Sequence, residues 1–477
     1  MFVWLLAAAG CGSSPGVTND AAGMRGGAGG ASGLGGAAGT GIGGGLGGAS
    51  AGRGGSGGSG GQGGTGGAGG TPRPCAHEID NPWCWSARDL TDFTDIAQSF
   101  SGAIFDGRYV TFVNATSAPP QAQVRFDSQG DFAGNTGWSS FYPNINTLGM
   151  VWRGGVFDGR YVYLTPGLAA ITTTGHDVVA RFDTQAASFA ASAGWTGFDL
   201  TTAGGTPDAT IPGYQGAAFD GRYVYFAPSV KATTTDSVAS GKVARYDTQA
   251  TFAAAASWSY FDVAAVDANA AHFAGLVFDG RYLYFVPNAT TNAHAARYDT
   301  QAAFANAASW STFDTTSLDP HAGGYRGGVF DGRYVYFVPV YGEGTSIYRA
   351  VIARVDTQGS FTSAASWSTL DAATVIKTTS FAAVFSGGGA FDGRHVYFVP
   401  DFGTPLLRYD SQAPFTAPSS WTETDVYDVT GSGSEFNGAA FDGRYLYLVP
   451  GGLGDAMRFD AREPGPVPAA IKGGSFY

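Results

Sequence analysis

Charge is scarce in this chain. Only 13% of its 477 residues are Asp, Glu, Lys or Arg, and 26 basic side chains face 38 acidic ones, a formal net charge of −12. That balance excludes a basic field for gripping nucleic acid or an anionic membrane, because phosphate contacts need clustered Lys and Arg. Cysteine is nearly absent, with 3 residues and no Cys-x-x-Cys pair, which excludes the common zinc ribbons and fingers. The histidines (His77, His176, His272, His294, His321 and His395) are scattered without ligand spacing. No hydrophobic run is long enough to cross a bilayer, the apolar stretch from Phe2 to Ala9 being far too short. The repeat-bearing part of the chain has no Gly-x-Ser-x-Gly, His-Glu-x-x-His or phosphate-binding loop. No metal or cofactor site is expected, and no catalytic residue stands out.

Glycine and aromatic residues are plentiful instead, at 75 glycines and 14% aromatics. This is strand-and-turn material rather than helix material. Residues 1–11 form an apolar leader whose end, Ala8-Ala9-Gly10-Cys11, resembles a bacterial lipobox. The resemblance implies cleavage before Cys11 and a lipid on its thiol. The leader lacks a preceding basic residue and has Ala8 where leucine is usual, so a plain signal peptide is the alternative. Residues 12–74 are almost entirely Gly, Ala, Ser and Thr. They cannot bury enough apolar surface to offset their ordering entropy, and a flexible tether is expected there. Cys75 and Cys84 are close enough in sequence to bridge outside the cytoplasm. The expected address is extracytoplasmic: an outer-membrane or cell-surface lipoprotein, or a secreted protein.

From residue 75 onward one phrase dominates: Phe-Asp-Gly-Arg-Tyr-(Val/Leu)-Tyr-(Phe/Leu)-Val-Pro, in seven near-copies starting at Phe105, Phe157, Phe219, Phe278, Phe330, Phe391 and Phe441. Successive starts lie 52, 62, 59, 52, 61 and 50 residues apart, a period suited to four-stranded propeller blades. In the copy beginning at Tyr325, Gly327–Phe330 reads as a strand and Asp331-Gly332 as a hairpin turn. Arg333–Val338 is the return strand, closed by Pro339, which cannot donate to a ladder. Strands at Ala353–Asp356 and Trp367–Asp371 complete the blade. We call these strands a to d, from the axis outward. The last copy lacks strand d, and the missing element stands at the other end as Trp85–Asp89. Trp85 precedes Gly102 by 17 residues, the spacing that also separates Trp258 from Gly275, Trp310 from Gly327 and Trp421 from Gly438. The expected fold over 75–477 is therefore all-β: a seven-bladed propeller of four-stranded antiparallel blades, with the N-terminal strand completing the C-terminal blade.

The elements Tyr334-Val335-Tyr336, Arg297-Tyr298-Asp299 and Trp310 resemble those of kelch repeats, over about 85–477. Val-Pro stands here where kelch repeats carry a Gly-Gly doublet. Kelch propellers mostly bind proteins, while their galactose-oxidase-type relatives are enzymes, so the resemblance implies an architecture and leaves function open.

Residues present in every copy serve the scaffold, because a single site must break the symmetry. The repeated Asp and Arg side chains are therefore expected in turns and in pairing between blades. Length varies only in the b–c connections (Ser229–Lys242 and Val340–Ile352 long, Asp401–Leu407 short) and the d–a connections (Leu200–Tyr214 and Ala372–Ser386 long). These emerge on one face, which is expected to present the ligand site. Strand a begins there with Phe100, Trp152, Tyr214, Phe273, Tyr325 and Phe436, followed by Ser101, Arg153, Gln215, Ala274, Arg326 and Asn437. Trp152, Arg153, Tyr214, Gln215, Tyr325, Arg326, Phe436 and Asn437 are the candidate ligand contacts, suited to stacking on and hydrogen-bonding a sugar or peptide. The expected function is binding of a glycan or protein by a monomeric, surface-tethered propeller. The alternatives are an extracellular carbohydrate-active lyase or hydrolase, or an adhesive envelope component. Acidic residues in the variable loops (Asp208, Asp267, Asp319 and Glu343) are expected to be solvated.

Overall fold

The computed structural model describes residues 75–462 apart from 95–99, 116–121, 144, 146–150, 168–176, 206–210, 233–236, 341–348, 378–384, 386, 401–403, 434 and 453–454. The lipobox with Cys11, the tract 12–74, and the loop residues Asp208, Glu343, Ser386 and Asp401 lie outside the described residues. Seven four-stranded antiparallel sheets account for almost all of the structure. Blade 5 runs Tyr325–Phe330, Tyr334–Pro339, Val351–Asp356 and Trp367–Asp371, and the other blades repeat its order. Strand a of each blade touches strand a of the next, and strand a of blade 7 (Phe436–Phe441) touches that of blade 1 (Phe100–Phe105). The ring is closed.

Closure is made as the spacing of the tryptophans predicts. Trp85–Asp89 pairs antiparallel with Asp455–Asp460, Trp85 opposite Phe459 and Asp89 opposite Asp455. The Cys75–Cys84 disulfide is formed just before this strand. Each strand d opens on a tryptophan whose indole N–H donates to the carbonyl six residues earlier: Trp138 to Phe132, Trp310 to Phe304, and so on around the ring. Trp85 makes the same bond to Ile79 at 2.9 Å. The N-terminal segment thus reproduces the whole c–d turn of a blade as well as its last strand.

The repeated phrase is scaffold chemistry. In each a–b turn the glycine takes a positive φ, 101° at Gly332 for instance, which a Cβ would make costly. The preceding carboxylate accepts the N–H groups of the next two residues, as Asp331 does from Arg333 and Tyr334. In every blade but the first, where Thr111 replaces the tyrosine, its second oxygen accepts from the tyrosine hydroxyl of strand b, Tyr336 to Asp331 at 2.7 Å. One expectation is corrected here. The arginine after the glycine does not bridge blades: it pairs with the strand c aspartate of its own blade, Arg333 with Asp356 at 2.8 Å. It sits one hairpin away from that aspartate, so the shortest ion pair is internal.

A different arginine crosses between blades. In every blade but the sixth, whose Arg408 turns to Glu78 and the His77 carbonyl, the strand c arginine lies over a tyrosine of its own blade and a phenylalanine of the next, Arg245 over Tyr223 and Phe304 at 4.2 Å each. Arg458 of blade 7 lies over Phe132 of blade 1 at 4.9 Å, carrying the pattern across the closure. Strand b tyrosines follow it, Tyr225 against Tyr298 and Phe304, and Tyr447 against Phe126 and Phe132. These aromatic layers form the core, which lies between blades rather than within any one.

Candidate functional site

The site is made by an irregularity repeated near the axis. The a–b pairing slips at the start of strand a, between Phe100 and Gly102, Trp152 and Gly155, Tyr214 and Ala217, Phe273 and Gly275, Tyr325 and Gly327, and Phe436 and Gly438. A bulge of this kind inserts an unpaired residue and re-aims the side chains beside it. The aromatic at each start turns into the core, and its successor turns to the axis. Trp152, Tyr214, Tyr325 and Phe436 are accordingly 0–1% exposed, packed against neighbours such as Phe226 for Tyr214 and Phe337 for Tyr325. Those four candidates are placed in the interior and offer no ring to a ligand there. The pleat explains the difference, because an aromatic on the inward side of strand a fills the gap between blades.

The four polar candidates have the opposite placement. Arg153, Gln215, Arg326 and Asn437 line one central cavity with Ser101, Gly216, Ala274, Gly387 and Gly388. All seven blades contribute to it. The cavity is small, with about 40 Å³ open to water centres, enough for a few waters or one compact polar group. Gly167 makes room for Arg153, since a Cβ at that position would stand 2.3 Å from the arginine Cγ. Ser101 is engaged, donating to the Trp152 carbonyl at 2.9 Å and accepting the Gly154 N–H at 3.2 Å. Burial, with the charge of Arg326 added, pushes the Arg153 guanidinium down to about 10, so it is still cationic at neutral pH.

A second cavity adjoins the first. It has about 370 Å³ open to water centres and is lined by His272, Asn288, Ala289, Thr290, Thr291, Gly324, Arg326 and Val340. Arg326 borders both cavities. The Asn288 amide donates to the Tyr325 carbonyl at 2.9 Å, which ties the pocket wall to strand a of blade 5. Burial, and then the charge of Arg326, hold the His272 imidazole below its ordinary value. His272 has a positive φ of 59°, unusual for a residue with a side chain. Sequence reasoning missed this pocket. The available signal was that His272 stands immediately before strand a of blade 4, where blades 3 and 5 have Gly213 and Gly324.

The acidic loop residues behave differently. Asp267 pairs with His294 at 2.5 Å, and Asp319 accepts the backbone N–H of His321 at 2.9 Å. Asp177, at the start of strand c of blade 2, is pushed up to about 7 by burial and by Asp199. A raised carboxylate subtracts stability where it must ionise, and the loss fades as pH falls toward the unfolded value of about 3.9. Asp177→Asn is therefore expected to raise the urea midpoint at about pH 8 and to leave it unchanged near pH 4. A gap that stays constant with pH would show that the carboxylate titrates normally.

No protein-family model matches the chain, and no curated protein matches it in sequence. Solved structures do match in fold. A catalytically inactive virginiamycin B lyase from Staphylococcus aureus, solved with quinupristin, is 12% identical with a TM-score of 0.51, over 79% of this chain and 98% of that one. YCF48 from Cyanidioschyzon merolae is 11% identical with a TM-score of 0.50, again over 79% and 98%. The likeness is one of fold. Among the described residues no helix is long and apolar enough to cross a membrane.

Proposed function

We propose that this protein is an exported, surface-tethered β-propeller that binds a glycan or protein ligand at the mouth of its central channel. One observation carries the reading. The turns, the ion pairs and the aromatic layers recur from blade to blade, whereas the bulge residues are Ser101, Arg153, Gln215, Ala274, Arg326 and Asn437, and all line one cavity. Symmetry is broken where a single asymmetric ligand would need it broken. The kelch-like pattern of the repeats is in keeping with binding. The lipobox-like Ala8-Ala9-Gly10-Cys11 and the glycine-rich tract support export and tethering.

The test is an array of glycans and peptides probed with wild type, a Gln215→Ala/Asn437→Ala double variant, and Gln301→Ala in an exposed c–d turn on the opposite face. Signals are expected from wild type and Gln301→Ala, with loss of about tenfold or more in the double variant. Signals retained by the double variant but lost in Gln301→Ala would move the site to the other face.

A second reading is favoured by His272, a half-buried imidazole whose pKa burial and the charge of Arg326 lower, in a polar pocket, as a general base would be. In that reading the protein is an extracellular carbohydrate-active lyase or hydrolase. New reducing ends released from a polysaccharide by wild type, and lost in His272→Ala, would establish it.

A further inference from the structure

Arginine is almost never idle in this structure. The turn arginines pair with strand c aspartates, as Arg281 does with Asp299 at 2.7 Å, and strand c arginines lie over rings, as Arg297 does over Tyr282 at 4.3 Å. Outside that pattern, Arg349 pairs with Asp371 at 2.8 Å and Arg462 donates to the Asp392 carbonyl at 3.0 Å. Arg326 has an interaction partner as well. Arg153 is the one described arginine whose guanidinium makes no hydrogen bond, ion pair or ring contact. It lines the central cavity, and no carboxylate is among the described residues around it there.

The surroundings hold this side chain in place without satisfying it. The Ser101 hydroxyl reaches from blade 1 to blade 2, donating to the Trp152 carbonyl at 2.9 Å and accepting the Gly154 N–H at 3.2 Å. Those two residues flank Arg153, so one hydroxyl pins the backbone on both sides of it. Gly167 leaves space for the arginine stem, because a Cβ at that position would collide with its Cγ. A guanidinium drawn out of bulk water with no acceptor raises the energy of the empty site. An anion entering the cavity supplies the missing acceptors. The cavity has about 40 Å³ open to water centres and admits one compact group. Carboxylate fits, since its two oxygens match the guanidinium fork and its single charge balances a single cation. A dianion such as sulfate would bring a second charge that Arg153 does not balance.

We propose that the central cavity is a receptor for one carboxylate group, with Arg153 as its anchor and Ser101 as the residue that positions the anchor. This rests on the ligand-binding reading above and names the group by which the ligand is held.

The experiment is calorimetric titration of the full chain, at constant ionic strength, with acetate, N-acetylglycine and glucuronate, each beside its neutral amide. Wild type is expected to bind each acid at least about tenfold tighter than the amide, and Arg153→Gln to lose that preference. Ser101→Ala is expected to weaken acid binding, while Ser101→Thr, which keeps the hydroxyl, retains it. Arg153→Gln gives up no partner and is expected to keep the wild-type urea midpoint, so lost binding would not reflect lost folding. The tighter of N-acetylglycine and glucuronate shows whether a peptide or a sugar carries the carboxylate. Equal binding of acid and amide, or an acid preference that survives Arg153→Gln, would overturn the proposal. Failure of all three acids to bind would overturn it too. The array of glycans and peptides decides the broader reading separately: signals there that depend on Gln215 and Asn437 but not on Arg153 would leave ligand binding standing without a carboxylate.

Discussion

A chain shortened to begin at Leu90 is expected to lose its soluble monomer. The removed segment holds one strand, five residues in register against Asp455–Asp460, which becomes an unpaired edge. Such an edge is a template for pairing with another chain. The segment also buries Ile79, Cys84 and Trp85, and exposing a large apolar side chain such as Ile79 costs about 1.5–3 kcal/mol. The Trp85 ring stands 4.8 Å from that of Phe459, and Arg408 of blade 6 donates to the His77 carbonyl and to Glu78, both at 2.9 Å. Several interactions therefore fail together. Size-exclusion chromatography should show dimers or aggregate in place of monomer, and a peptide spanning 75–89 should restore monomer when added in trans. A shortened chain that stays monomeric with an unchanged unfolding midpoint would mean that the ring does not depend on this strand. The milder Trp85→Ala is expected to cost about 3–5 kcal/mol, as for a large aromatic removed from a core.

The second large effect is expected from Gly438→Ala, one methyl group at the axis. A Cβ there would lie 2.7 Å from the Gly102 Cα and 3.3 Å from its nitrogen. Both contacts are backbone, which cannot rotate away as a side chain end can. Strand a of blade 7 must move from strand a of blade 1, at the joint that closes the ring. Overpacking of this kind costs about 1–3 kcal/mol where side chains can adjust, and here they cannot. The urea midpoint should fall well below that of Ala439→Gly at the adjacent position. Equal midpoints for the two variants would show that the axis has slack.

The fold was largely legible in the sequence because each of its devices is local or periodic. Asp-Gly turns, Val-Pro strand ends and the recurring tryptophan follow from short-range chemistry, and seven copies average away the exceptions. Closure was legible from a spacing, the 17 residues from Trp85 to Gly102. The partner of each repeated arginine was not, since Arg333 and Arg354 sit in equivalent-looking Arg-Tyr and Arg-Val contexts. Only the packed blades send one to Asp356 of its own blade and the other over Phe415 of the next.

At the site the division runs between neighbouring residues. The pairs Trp152-Arg153, Tyr214-Gln215, Tyr325-Arg326 and Phe436-Asn437 stood out because they depart from an otherwise constant repeat, and repetition is visible in one dimension. Which member of each pair faces the channel depends on a bulge, and a bulge depends on how two strands are forced together near a crowded axis. His272, at the end of a d–a connection, meets the b–c loop of blade 4 and the start of blade 5 in the pocket beside Arg326, a meeting across sequence that no spacing records. The linear chain thus determined the number of blades, their turns and their closure, all consequences of local geometry and period. Tertiary packing alone decided which side chains were buried, which lined the cavity, and that Arg153 and Arg326 from different blades would both border it.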